Sequence, residues 1–177
     1  MKTTLDSVCD LLPLGWRTAR KVEQTIREEM DRLGGQELQM PVVQPSDLWE
    51  RTGRFQSVGA EMVRFKDRAD RDMVLAITHE ELATDLAGTL VSSYRQLPFV
   101  FYQFQTKFRD EPRPRGGLIR VREFTMKDAY SFDADQAGLD AIYDRFVEAY
   151  VRVFRRCGIE PMVVESDASA MSGSQAH

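Results

Sequence analysis

The chain has 177 residues, 42% of them apolar and 29% charged, with a formal net charge of −4. That is enough for one domain with a well-filled hydrophobic core and too little to expect two. The acidic balance excludes a protein held to nucleic acid by bulk electrostatics. No apolar run approaches the roughly 20 residues of a membrane span, and the N-terminal MKTTLDSVCDLLPLG, with one lysine and two aspartates, is not a secretory signal.

In chain order, Trp16 to Leu33 is predicted as an amphipathic helix. Val22, Ile26, Met30 and Leu33 share one side, Lys21, Glu23, Arg27, Glu28 and Asp31 lie largely opposite, and Gly34-Gly35 stops it. A short strand, Glu37 to Met40, runs into Pro41, which ends ladder pairing or confines the segment to an edge or an interface. Ser46 is placed as the N-cap of a brief helix through Trp49 and Arg51. Met62 to Phe65 and Met73 to Ile77 are predicted as a hairpin around the polar turn 66–72. Thr78, with Glu81 three residues later, fits a capping box opening a helix to about Ser92, along which Leu82, Leu86 and Leu90 recur. Val100 to Phe108 is strongly β, with Val100, Tyr102, Phe104, Thr106 and Phe108 on one face. A long helix from Leu139 through Phe154 is ended by Gly158, and Ile159 to Glu165 is a final strand. Helices interleaved with hairpins indicate an α+β domain on an antiparallel sheet, with no internal repeat, low-complexity tract or interdomain linker. Cys9 and Cys157 have no CxxC partner or neighbouring histidine. They read as free thiols in a reducing cytoplasm, with a bridge between them left open, and no metal site is expected.

The densest chemistry lies between Lys107 and Lys127, where seven Lys or Arg stand against three Asp or Glu. The segment reads as strand, loop, strand, and its tip, Pro112-Arg113-Pro114-Arg115-Gly116-Gly117, cannot continue a regular ladder. A cationic site in an acidic protein suits a small polyanion such as a nucleoside triphosphate better than a long phosphate backbone. Arginine's planar fork binds phosphate or carboxylate bidentately, and Phe124 offers an aromatic face. On charge alone, the same segment is an ordinary hairpin with a solvated tip.

The spacing of Arg109, Glu111, Arg120, Phe124 and Asp128 is similar to motif 2 of the class II aminoacyl-tRNA synthetases. The wording TKFRDEPRPRGGLIRVREFTMKDAYSF, from Thr106 to Phe132, resembles the bacterial type of prolyl-tRNA synthetase. Residues 11–49, LLPLGWRTARKVEQTIREEMDRLGGQELQMPVVQPSDLW, resemble that family's motif 1 region, and ITHEELATDL, 77–86, its amino-acid recognition loop. SGSQAH, 172–177, resembles a Gly-Ser-x-Ser-His element. The resemblance implies an antiparallel class II sheet flanked by helices, present here as one partial catalytic domain over 1–177, with motif 2 at 106–128 and motif 3 absent.

It further implies activation of L-proline by ATP, accompanied by Mg2+, to prolyl-adenylate, and ligation to tRNA(Pro) contacted mostly by regions outside this chain. A homodimer in the cytoplasm is expected, with no membrane partner. Arg109 is implied to bridge the α-phosphate and the amino-acid carboxylate as the catalytic residue; without the motif it would be assigned to an ion pair with Glu111 or Glu123. Glu111 is implied at the adenine amino group or as orienter of the loop, Arg120 at the γ-phosphate or the base edge, and Phe124 stacked on adenine, where periodicity alone would make it core. Asp128 is expected to brace its strand. Thr78 and Glu80 are implied to receive the proline imino group, while a helix cap and a first-turn acid would explain the same two residues. His79 between them is expected to orient the loop. Pro41 is implied at the dimer interface, or simply ends its strand, and Ser174 and His177 are implied near the substrate pocket.

Several positions depart from the family's wording. Ile77 stands in place of a common proline, Gly116 in place of a bulky residue, and Gln175-Ala176 alters the last element. Val121 replaces a small residue where backbone runs close to nucleotide. Synthetases for threonine, serine and glycine share the general motifs, but the Thr-His-Glu-Glu run and Arg-Glu-Phe-x-Met-Lys-Asp-Ala-Tyr-Ser-Phe argue for proline. The alternative expectation is a non-catalytic fragment or paralogue that binds proline, adenylate or a protein partner, without editing or anticodon-binding domains.

Overall fold

The computed structural model describes residues 2–5 and 8–164. The chain opens with a small antiparallel hairpin, β1 (Lys2–Leu5) and β2 (Val8–Asp10). Helix α1 (Pro13–Arg32) starts three residues earlier than the periodicity predicts, because Pro13 sits in the first turn, where a missing N–H costs nothing. Only its C-terminal half packs: Met30 and Leu33 are buried, while Val22 stays 40% exposed.

Strand β3 (Gly35–Glu37) pairs parallel with β7 (Phe99–Phe108), which pairs antiparallel over its whole length with β8 (Glu123–Phe132). β3 is displaced toward the N-terminus from the predicted Glu37–Met40. Two contacts explain the shift. At Gly35 a Cβ would lie 3.0 Å from the Met30 carbonyl oxygen and from the Tyr102 ring, so the glycine permits helix, strand and ring to meet. The Met40 N–H donates to the Gln103 side chain at 2.9 Å, so a side chain takes over from the ladder before Pro41.

A second sheet, in the order β4 (Val43–Pro45), β6 (Asp72–Leu75), β5 (Arg64–Lys66), is antiparallel throughout. Helices α2 (Ser46–Arg51) and α3 (Arg54–Ser57) cover it, and Leu48, Trp49, Met62, Val74 and Ile77 form its core. Ser46 is the first residue of α2 and not its cap; its hydroxyl meets Glu50 one turn on, at 3.0 Å. Helix α4 (Glu80–Leu90) follows.

Helix α5 (Gln136–Arg156) is capped by the Asp135 carboxylate, which accepts the Gly138 N–H at 2.8 Å. It packs on α1 around Met30, Leu33, Tyr102 and Ala149. Glu29, fully buried on α1, binds Arg152 and Arg156 of α5 and Arg32 of its own helix. Burial pushes its carboxyl up, but hydrogen bonds from those three arginines more than reverse this and hold it below the usual range. Beyond Gly158, residues 159–164 form no strand, contrary to the predicted final strand, and Glu165 lies outside the described residues. Met162, Val163 and Val164 are largely exposed there, with no strand paired to them among the described residues, so β propensity alone does not make a strand.

The described molecule is therefore α+β, and none of its helices is long and apolar enough to cross a membrane. Cys9 and Cys157 are free thiols.

On the α5 side of β8, Lys127 Nζ donates to the Tyr150 hydroxyl at 2.5 Å and lies 4.2 Å from its ring centre. Burial lowers the ammonium to about 8 from 10.5, and burial pushes Tyr150 up to about 12 from 10.0. Between about pH 8 and 10 the unfolded chain holds a proton at Lys127 that the folded chain has lost, so folding stability rises with pH there. Lys107, lowered chiefly by burial, acts in the same direction. Above about pH 10 the raised tyrosines reverse the trend, because unfolding then releases their protons. Urea titrations across this range are expected to show the rise, and Lys127→Met is expected to flatten most of it.

Candidate active site

One face of β7 and β8 builds the site. Because side chains alternate on a strand, Gln103, Gln105, Lys107 and then Arg109 project to the side opposite Tyr102 and Phe104. Asp128 lies across from Gln103, and Tyr130 across from Phe101.

Arg109 leaves the end of β7 and donates from Nε to the Ile77 carbonyl at 3.1 Å, which places it one residue from Thr78. Its guanidinium lies 5.5 Å from the centre of the Phe124 ring. Its Nη atoms have no hydrogen bond or ion pair among the described residues, and neither Glu111 nor Glu123 is its partner.

Glu111 takes a different partner. Its carboxylate accepts the Arg113 N–H at 2.9 Å and pairs with Arg120 at 2.7 Å. Those two contacts, the backbone N–H foremost, hold it below its ordinary range. The loop closes with an isolated bridge between Arg115 and Arg120, while Gly116 and Gly117 turn the tip at φ of +70° and +66°, which disfavours side chains. Arg109, Glu111, Arg120, Val121, Phe124 and Thr125 line a cleft of about 360 Å³. Val121 is buried in this wall.

Thr78 is not the cap of α4. That position belongs to His79, and no side chain caps the helix. The Thr78 hydroxyl instead donates to Glu80 in a short hydrogen bond. A hydroxyl that donates keeps two lone pairs for accepting, so Thr78 and Glu80 together present acceptors to a cationic amine. Glu80 also faces Arg54 at 3.6 Å, and Arg54 pairs with the buried Glu81 at 2.8 Å. Glu80 stands on the wall of a second cavity of about 770 Å³, lined in addition by Arg54, Glu81, Asp85 and Thr89, which shares no lining residue with the Arg109 cleft. The larger volume is the more mixed in charge. The smaller cleft holds arginine nitrogens without partners among the described residues.

Behind this surface lies a buried polar network. Lys107, fully buried, donates to Asp128 Oδ1 at 2.8 Å and to His79 Nδ1 at 2.5 Å. His79 Nε2 meets the Pro41 carbonyl at 3.0 Å, so the proton is assigned to Nε2 and Nδ1 is the acceptor. Burial, with the neighbouring ammonium, holds His79 below its ordinary range and favours this neutral form. Asp128 Oδ2 accepts from Gln103 Nε2 at 2.8 Å and from the Tyr130 hydroxyl at 2.5 Å. Burial first, and then Asp128, push that phenol up.

Thr78, Glu80 and Arg109 therefore gather around the chain at 77–80, while Glu111, Arg120 and Phe124 share the cleft with Arg109. Pro41 is exposed and enters the site only through its carbonyl. Ser174 and His177 lie outside the described residues. Lys107, Tyr130 and Arg54 were not singled out by the sequence. The alternation of Gln103, Gln105 and Lys107 with aromatic residues was the available signal for the first of them.

The family model described as the tRNA synthetase class II core domain (G, H, P, S and T) matches residues 63–176. A proline--tRNA ligase of Salinispora tropica is 59% identical over 94% of this chain and 28% of its own length. One of Dehalococcoides mccartyi is 54% identical over 96% of this chain and 30% of its own. The chain thus spans less than a third of the length of these relatives. Among solved structures, Giardia lamblia prolyl-tRNA synthetase in complex with prolyl-adenylate superposes with a TM-score of 0.80 at 20% identity, over 86% of this chain and 32% of that one. The Cryptosporidium parvum enzyme complexed with L-proline and AMP gives 0.77 at 14% identity, over 88% and 31%. At those identities the structures establish the fold.

Proposed function

This chain belongs to the class II tRNA synthetase core-domain family, and we propose that it supplies the part of a proline--tRNA ligase that brings L-proline and ATP together as prolyl-adenylate. The observation that carries this reading is the placing of the Arg109 guanidinium, its Nη atoms unpartnered among the described residues, beside the Thr78–Glu80 pair through the Ile77 carbonyl. The names of the relatives, at 54–59% identity, support the choice of amino acid.

In the proposed reaction a proline carboxylate oxygen bonds to the α-phosphorus of ATP while the bond from that phosphorus to the bridging oxygen breaks, and pyrophosphate leaves with the electron pair. No covalent enzyme intermediate is needed; positioning and charge stabilisation are the chain's contribution. The Arg109 fork is assigned to the carboxylate and the α-phosphate together. Thr78 and Glu80 are assigned to the two N–H donors of the secondary ammonium. Phe124 is assigned to the adenine ring, Glu111 to its amino group or to loop orientation, and Arg120 to the γ-phosphate or the base edge. Among the described residues no three His, Cys, Asp or Glu side chains are grouped to hold a metal ion. Mg2+ is assigned to the phosphate oxygens of the nucleotide, the hard donors it prefers. Ser174 and His177 near the pocket, a homodimer contact at Pro41, transfer to tRNA(Pro) through regions mostly outside this chain, and a cytoplasmic setting complete the proposal.

The test is proline-dependent exchange of labelled pyrophosphate into ATP, with threonine, serine and alanine as controls, and calorimetric titration of the folded chain with L-proline. Exchange or binding confined to proline is expected. Preference for one of the other amino acids, or a folded chain indifferent to all four, would overturn the reading.

A further inference from the structure

Resting on that reading, we propose that Asp128 and Lys107 are positioning residues that hold the Thr78–Glu80 receptor in its proline-receiving geometry through two arms converging on one carboxylate. The first arm runs from Asp128 Oδ1 through Lys107 Nζ, at 2.8 Å, to His79 Nδ1, at 2.5 Å, and ends at the Pro41 carbonyl, 3.0 Å from Nε2. The second runs from Asp128 Oδ2 to the Tyr130 hydroxyl, at 2.5 Å, which stands beside the Thr78 hydroxyl. His79 is the residue between Thr78 and Glu80, so fixing its ring at both nitrogens fixes the backbone that aims its two neighbours.

Local sequence cannot do this. No side chain caps the start of α4, so residues 77–79 take their direction from tertiary contacts. The rest of the network fits an anchor. Gln103 donates to the same Asp128 carboxylate at 2.8 Å and accepts the Met40 N–H at 2.9 Å, which ties in the chain just before Pro41. Lys107, His79 and Gln103 are all fully buried. Apolar residues of similar size would pack there at less desolvation cost, but they would not select one orientation of the histidine ring. Asp128 and Lys107 act through Thr78 and Glu80 and touch no substrate themselves. Their effect therefore falls on the amino acid and spares the nucleotide.

Two variants of nearly unchanged volume, Asp128→Asn and Lys107→Met, test this in the 177-residue chain. Calorimetry reads the affinity for L-proline and, separately, for ATP. Nitrogen NMR of the histidine ring and hydrogen exchange of the amides of 77–81 read the loop without any ligand. The expected result is a proline affinity weakened by roughly 10- to 100-fold, with ATP affinity changed less than about threefold. The single Nε2–H form of His79 is expected to give way to a mixture, with faster exchange at 77–81. Equal losses for proline and ATP that track a fall in global stability would reduce the network to scaffolding and overturn the proposal, as would an unmoved His79 spectrum. If the unmodified chain fails to bind L-proline, the function proposed above falls instead; the ligand-free His79 and exchange measurements still decide the positioning role.

Discussion

Replacing Arg109 with alanine is expected to lower proline-dependent pyrophosphate exchange by about 10³-fold, equivalent to roughly 4 kcal/mol of transition-state stabilisation. The size follows from what the side chain does in the structure. Its Nε is committed to the Ile77 carbonyl at 3.1 Å, and its flank to the Phe124 ring, so the Nη edge is oriented before any ligand arrives. In the proposed reaction, a donor set aligned in advance loses little entropy when two anions meet it, and its charge would oppose the charge gathering at phosphorus. Arg109→Lys is expected to fail almost as badly, because a single ammonium cannot span carboxylate and phosphate in one plane. The structural cost of Arg109→Ala is small by comparison: one buried carbonyl loses a partner, about 1 kcal/mol, readable as a shift in the urea midpoint. On the 177-residue chain alone, the same loss is to be read as affinity for a non-hydrolysable prolyl-adenylate analogue. Exchange and analogue binding retained at the unmodified level would remove Arg109 from the chemistry.

The long elements are legible in the sequence because their periodicity is sustained. The repeat from Leu139 to Phe154 yields α5, and the alternation from Val100 to Phe108 yields β7. Boundaries are legible only where a local residue sets them. β3 moves because a tertiary contact, Met40 to Gln103, replaces its last pairings, and no property of residues 37–40 announces that. Thr78 has the spacing of a capping box with Glu81, yet its hydroxyl goes to Glu80 and the helix start has no side-chain cap. For the site, the spacing of motif residues picks out Arg109, Glu111, Arg120 and Phe124, and the structure gathers them at one cleft. The pairing of Glu111 with Arg120, and not with Arg109, depends on how the tip folds between Arg115 and Arg120. The buried network behind the site depends on four separated segments meeting: 40–41, 78–79, 103–107 and 128–130. Each of its members has an unremarkable reading alone: a strand lysine, a strand glutamine, a loop histidine.

In the proposed reaction, Glu80 is the residue expected to separate the two substrates most sharply. Glu80→Gln keeps the shape of the side chain and removes its charge, so a secondary ammonium loses a charge-assisted hydrogen bond while the Thr78 hydroxyl keeps an acceptor. The expected cost is about 2–3 kcal/mol, or roughly 30- to 150-fold in proline affinity. The carboxylate is 37% exposed, so the lower half of that range is the better expectation: water competes for the same bond. ATP affinity is expected to stay within about twofold, since Glu80 lies outside the cleft lined by Arg109, Glu111, Arg120 and Phe124. Loss of the ion pair with Arg54 at 3.6 Å is expected to cost little stability, because Arg54 retains Glu81 at 2.8 Å. Titrating the variant with L-proline and with ATP separately measures both affinities in the same folded protein. A loss shared equally by the two ligands would place Glu80 in the scaffold of α4. A loss confined to proline would leave the carboxylate as the group that reads the imino nitrogen, with Arg109 as the group that reads the other end of the same molecule.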